Sequence, residues 1–210
     1  MTEDDPATQY DAPLIGILAC DHVGPELRPA ARPRLRRHVH RAAARGRAGD
    51  PHTHVRRRRR RAPDHPGECD GWIITGARYG AYRGRPVDRR VAGVHPASPS
   101  TAPASSACAS GTRSSPALGG RAEPSGTWKA GPQVLHVEPT EWFEGGSVVI
   151  HAMHQDVASV VPPGGRTIGS GTTAEHPMYL VGDSILCVQD HPEYGELHRR
   201  PGGVAATADG

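Results

Sequence analysis

The sequence predicts an α/β domain of three layers, with a mainly parallel central sheet, helices on both faces and a small antiparallel hairpin at the end of the sheet. Three observations predict it. Leu14–Ala19, Trp72–Thr75 and Ser184–Gln189 are short runs, apolar on both faces or nearly so, as strands covered on both sides are. Each run stops at residues that end a strand: Asp21-His22-Val23-Gly24-Pro25, then Gly76, then His191-Pro192. Finally, Met178–Val181, Gly182-Asp183 and Ser184–Gln189 follow one another as strand, tight turn and strand.

A chain of 210 residues suits one domain, spanning 1–210, with room for a sizeable core. Hydrophobic residues make up 36% and aromatic residues only 4%, so the core must be drawn from concentrated islands rather than from the whole chain. No apolar run approaches the roughly 20 residues of a membrane span. The start, Met1-Thr2-Glu3-Asp4-Asp5, is acidic, unlike the basic start of a secretory signal. Cys20, Cys69, Cys108 and Cys187 are far apart and form no CxxC pair, which points to thiols in a reducing, cytoplasmic setting.

Charge is divided unevenly. From Arg28 to Arg61 there are 14 Arg and one acidic residue, Asp50, whereas the rest of the chain carries 11 basic and 21 acidic residues. The body is therefore acidic, and the stretch 28–62 is a basic insert expected to repel itself and stay solvated.

Taken in order, Leu14–Ala19 is the first buried strand. No hydrophobic period follows in 28–62, where a helix belongs; Ala42-Ala43-Ala44 favours helix but has no apolar face beside it. Trp72–Thr75 is the next strand, and Gly76 at its end can present a bare backbone N–H. The stretch 83–116 loses the pattern again, and its part from His95 to Ser115 is rich in Ala, Ser and Pro, as linkers are. From Ala117 onward strands are expected at Gln133–Val137 and Ser147–His151, with Glu144-Gly145-Gly146 as the turn between them. Val157–Val161 ends at the turn Pro162-Pro163-Gly164-Gly165, and the tail 201–210 is expected to fray.

The last apolar run has chemical meaning. It delivers His191, and two residues later Glu193, to the end of a strand, where open α/β sheets hold their sites. An imidazole is a base near neutral pH, and a carboxylate nearby can orient it and stabilise its charged form. Such a pair requires a nucleophile elsewhere in the chain.

Four stretches together resemble the class I glutamine amidotransferases, specifically the stand-alone kind similar to the glutaminase domain of GMP synthase. Gln189-Asp190-His191-Pro192-Glu193-Tyr194 resembles the family's His-Pro-Glu segment, and Trp72-Ile73-Ile74-Thr75-Gly76 its oxyanion strand and glycine. Ala117-Leu118-Gly119-Gly120 resembles the end of the helix after the nucleophile. His151-Ala152-Met153-His154-Gln155-Asp156-Val157 with Pro162-Pro163-Gly164 resembles its His-x-Asp and Leu-Pro-x-Gly stretch. The resemblance implies a flavodoxin-like fold and hydrolysis of the glutamine side-chain amide to glutamate and ammonia by a Cys-His-Glu triad. Carried over by position, Cys108 is the nucleophile, His191 the base and Glu193 the orienting carboxylate, with backbone N–H groups of Gly76 and Ala109 for the oxyanion. It implies glutamine as substrate, no cofactor and no metal, and it assigns any ammonia-accepting synthetase to a separate chain, since no ATP-binding Gly-rich loop is present.

The chain departs from the family around Cys108. The family has Gly-x-Cys-x-Gly-x-Gln on a strand-to-helix elbow; here Ser106, Ser110 and Thr112 replace the two glycines and the glutamine, and Ser114-Ser115-Pro116 stands where an apolar helix face belongs. The stretches 28–62 and 83–116 interrupt the resemblance abruptly while leaving its spacing nearly intact, as out-of-frame translation or true inserts would. Reading the coding DNA in its other two frames separates these origins: an amphipathic helix after Glu26 and a Cys-centred elbow near Cys108 are expected only from a frame change. Two other functional classes stay open: an inactive relative that keeps the fold, and a polyanion- or nucleic-acid-binding protein acting through Arg56–Arg61. No aromatic residues interleave with those arginines, which weighs against nucleic acid. His151 and His154 have a spacing that suits a metal, but no Cys or carboxylate is placed to join them.

Overall fold

Leu14–Leu18 forms β1, an interior strand flanked in parallel by β2 (His54–Arg58) on one side and β3 (Gly71–Ile74) on the other. The computed structural model describes residues 14–20, 54–58, 66–77, 79–80, 88–89, 91–92, 105–108, 111–141 and 143–192. The expected tail 201–210 lies outside them.

Beyond β3 come β4 (Ser105–Cys108), helix α1 (Gly111–Ala117), β5 (Arg121–Val137), β6 (Gly146–Val160), β7 (Gly165–Ser170), β8 (Met178–Val181) and β9 (Ile185–Val188). All nine strands join one sheet in the order β2-β1-β3-β4-β9-β8-β7-β5-β6. The first five strands in this order pair in parallel, and every pairing from β9 to β6 is antiparallel.

The expectation of a flavodoxin-like, mainly parallel sheet with a small terminal hairpin is therefore overturned. The described chain is mostly strand, and its largest unit is the antiparallel pair of β5, 17 residues, with β6, 15 residues. The hairpin β8–β9 lies inside the sheet, with β9 as the joint between the two kinds of pairing. The physical reason is that most of β5 and β6 is solvated: exposed residues such as Glu123, Trp128, Val134, Val148 and Val149 give neither a continuous apolar run nor a clean alternation. Pro124 is accommodated by a register shift between Pro124 and Lys129, so it does not end the strand. Two parallel strands, β2 and β4, also come from 28–62 and 83–116, where the sequence pattern offers no strand.

Two apolar clusters hold the sheet. One combines Leu18, Trp72, Ile74, Val91, Ala158, Tyr179, Val181, Ile185 and Cys187, and so joins the parallel strands to β6 and β8. The other combines Leu135, Ile150, Ile168, Met178, Leu180 and Val188 and belongs to the antiparallel half. Cys69 and Cys187 are buried in the first cluster, where they act as small apolar residues.

Helix α1 shows how the Leu-Gly-Gly sequence works. Gly120 N–H donates to Ser115 O at 2.8 Å and Gly119 N–H to Pro116 O at 3.2 Å, with Gly119 at φ 91°, which together make a Schellman cap. A Cβ at Gly120 would overlap Ser115 Oγ and Val160 O, so the backbone passes too close for any side chain. The helix buries serines in place of apolar residues: Ser114 and Ser115 are fully covered, and Ser115 Oγ donates to Val160 O at 2.8 Å. No helix among the described residues is long and apolar enough to cross a membrane.

Candidate functional site

The carboxyl ends of β3, β4 and β9 lie side by side, because β4 pairs in parallel with both of its neighbours. Across these strands Ile74, Cys108 and Cys187 stand level. Cys108 is the last residue of the middle strand. Two residues past the end of β3 comes Gly76, and three past the end of β9 comes His191. Ligands of open α/β sheets bind outside such carboxyl ends.

His191 and Gly76 meet directly: a Cβ on Gly76 would stand 3.8 Å from His191 Cε1, ordinary van der Waals contact. The half-buried imidazole therefore sits beside the glycine, with Cys108 ending the strand between their two strands. Glu193 and Ala109 lie outside the described residues. Of Arg56–Arg61, Arg56, Arg57 and Arg58 fall within β2, the outermost strand of the parallel half, and Arg59–Arg61 lie outside the described residues.

The segment that carries His191 is fixed one residue at a time. Gln189 Oε1 accepts from Ala158 N–H at 2.9 Å, while its Nε2 donates to His176 O at 2.7 Å and its backbone N–H to Pro177 O at 2.9 Å. Asp190 Oδ1 lies 3.1 Å from His154 Nε2 in a pair exposed by only 1% and 9%. His191 N–H donates to His151 O at 2.6 Å, forming an isolated antiparallel bridge between these two residues. Ala158, His154 and His151 all belong to β6, so this one strand backs three consecutive residues.

His154 holds its ring at both ends. Nδ1 donates to Asp156 O at 2.9 Å, because a carbonyl can only accept, and Nε2 faces the Asp190 carboxyl group. With both nitrogens engaged, His154 has no lone pair aimed at open space for a metal. Among the described residues no group of three His, Cys, Asp or Glu side chains could hold a metal ion.

Sequence reasoning found His191 and Gly76 but missed Gln189 and Asp190 as structural partners of β6. The signal for them was present: two polar residues continue a buried run instead of ending it, and both are covered, at 4% and 1% exposure. Polar groups buried in that way need partners.

No family model and no curated protein sequence matches the chain. Solved structures do. A GMP synthase subunit from Thermoplasma acidophilum aligns over 87% of this chain and 85% of its own, at 13% identity and a TM-score of 0.62. A glutamine amidotransferase from Thermotoga maritima aligns over 88% of this chain and 77% of its own, at 11% identity and a TM-score of 0.59. An exo-β-1,4-mannosidase from an Opitutaceae bacterium contains the same shape in 33% of its length, covering 91% of this chain at 15% identity and a TM-score of 0.55. Identities this low speak for fold alone, and the mannosidase shows that the fold is found in proteins of other activity. The strand ends, the capped helix and these likenesses agree on one point: the chain has a class I glutamine amidotransferase-like fold.

Proposed function

We propose that this protein hydrolyses the side-chain amide of glutamine to glutamate and ammonia. Cys108 is the nucleophile, His191 the general base and acid, and Glu193 the carboxylate that orients His191. The backbone N–H groups of Gly76 and Ala109 hold the oxyanion. The observation that carries the reading is the adjacency of three carboxyl strand ends: Cys108 closes β4, with Gly76 and the His191 imidazole in mutual contact beyond its two neighbours.

Each step follows from these roles. His191 takes the thiol proton, and the Cys108 thiolate attacks the amide carbon of glutamine. The negative charge that develops on the amide oxygen is stabilised by two backbone donors. His191 returns the proton to the leaving nitrogen, ammonia departs and a glutamyl thioester remains. Water, deprotonated by the same imidazole, then hydrolyses the thioester to glutamate and restores the thiol. A synthetase that consumes the ammonia would be a separate chain.

The test is covalent trapping. The full-length protein, after a cooperative thermal melt, is incubated with an electrophilic glutamine analogue and the adduct is mapped by mass spectrometry. An adduct on Cys108 that glutamine competes away, together with ammonia release lost in Cys108→Ala, is the expected result. A folded protein with neither adduct nor ammonia release overturns the reading in favour of an inactive relative. Attention then moves to β2, whose Arg56–Arg58 suit a polyanion.

A further inference from the structure

We infer that the buried His154–Asp190 pair is a positioning device for His191, setting where its imidazole stands relative to Gly76 and the end of β4. The chemical consequence rests on the glutaminase reading; the positioning itself does not. Three observations carry it. Asp190 directly precedes His191, so fixing its side chain fixes the start of the peptide whose N–H donates to His151 O at 2.6 Å. His154 is itself held at both ring nitrogens, by Asp156 O at 2.9 Å and Asp190 Oδ1 at 3.1 Å, so the anchor point on β6 cannot rotate. Lastly, the pair is a poor choice for stability alone. Asp190 is 1% exposed, and its Oδ2 has no hydrogen-bond partner among the described residues. Apolar residues of similar volume commonly serve a buried site as well as an ion pair or better. What the pair adds is direction, since hydrogen bonds specify an orientation that apolar packing leaves loose.

The pair also completes a pattern. Gln189, Asp190 and His191 are tied in turn to Ala158, His154 and His151 of β6. The two flanking ties include a backbone group on the β6 side, whereas the central one depends on side chains only. It is therefore the tie that substitution can remove while the backbone ladder stays in place.

The experiment uses the full-length protein and three variants: Asp190→Asn, His154→Gln and the double variant His154→Leu/Asp190→Leu. The double variant removes both partners at once and leaves no buried charge behind. Readouts are the thermal melt, kcat and KM for glutamine hydrolysis, and the ring ¹H–¹⁵N signals of His191, assigned by their loss in His191→Gln. The double variant is expected to melt cooperatively, to lose on the order of 100-fold in kcat with KM little changed, as a small misplacement of a reacting group does, and to shift the His191 ring signals. Asp190→Asn keeps shape and one acceptor, and loses less. Should the double variant fail to fold, Asp190→Asn and His154→Gln carry the same readouts. Unchanged His191 ring signals in every folded variant overturn the inference, as does unchanged kcat in an active protein. If the wild-type protein releases no ammonia, the glutaminase reading fails separately, and the ring signals still decide the positioning: moved signals uphold it and unmoved ones reject it.

Discussion

The parallel half of the sheet is built from strands of four or five residues, and the antiparallel half contains strands of 17 and 15. The short strands bury Trp72 and Ile74 almost completely and bring three carboxyl ends together. In the long pair, Trp128, Val134, Val148, Val149 and Met153 are left exposed. Reactive groups are offered by one half and held in place by the other: His151, His154 and Ala158 reach the His191 segment from β6. The lesson is that a site on a parallel sheet need not be supported by the parallel strands themselves.

That division is broken most severely at its chemical end. Cys108→Ala is expected to lower glutamine hydrolysis on the order of 10⁴-fold or more while leaving the thermal melt unchanged, because a triad works as a unit. Ammonia release and the melt, measured on the same sample, check this; residual activity within tenfold of wild type would remove Cys108 from the reaction. Next in size is the core that supports the strand ends. Trp72, 1% exposed, packs in the main cluster, and Trp72→Ala is expected to cost about 3–5 kcal/mol in denaturant unfolding.

A smaller effect is expected where the two halves meet around α1. Gly120→Ala drives a methyl group toward Val160 O and the Pro162 backbone nitrogen, and about 1–3 kcal/mol of destabilisation should follow. A neutral result in urea unfolding would mean that β6 can draw back from the helix cap. The smallest change belongs to the exposed ribbon. Val149 is 71% exposed, so Val149→Ser should shift stability by no more than about 0.5 kcal/mol. A clearly larger loss would show that this face is covered in solution, and the contrast between the halves would then need redrawing.

The sequence pattern was legible where burial is two-sided. β1, β3 and β9 stand out because both of their faces meet other parts of the protein, and each expected run contains the observed strand. The Gly182-Asp183 turn was equally plain, with β8 and β9 paired through Val181 and Ile185. By contrast, β4 is Ser-Ser-Ala-Cys, whose composition favours no particular element, and its pairing comes from β3 and β9 on either side. Tertiary contacts also decide α1, where buried serines satisfy their hydroxyl groups within the fold. In the site, His191 and Gly76 were visible from the residues that end their strands. Asp190 and Gln189 were not, because their partners lie 36 and 31 residues away on β6, a separation that no local pattern encodes.

β9 has a partner on each edge, parallel β4 and antiparallel β8. A strand gripped on both edges cannot absorb a change in chain length by sliding. Insertion of one residue between Ile185 and His191 would turn alternate side chains toward the wrong cluster and carry the imidazole away from Gly76. The exposed turn at Gly182-Asp183 has no such obligation and can lengthen without moving the strand that follows. Relatives of this protein should therefore differ freely in length before Ser184 and hardly at all between Ile185 and His191.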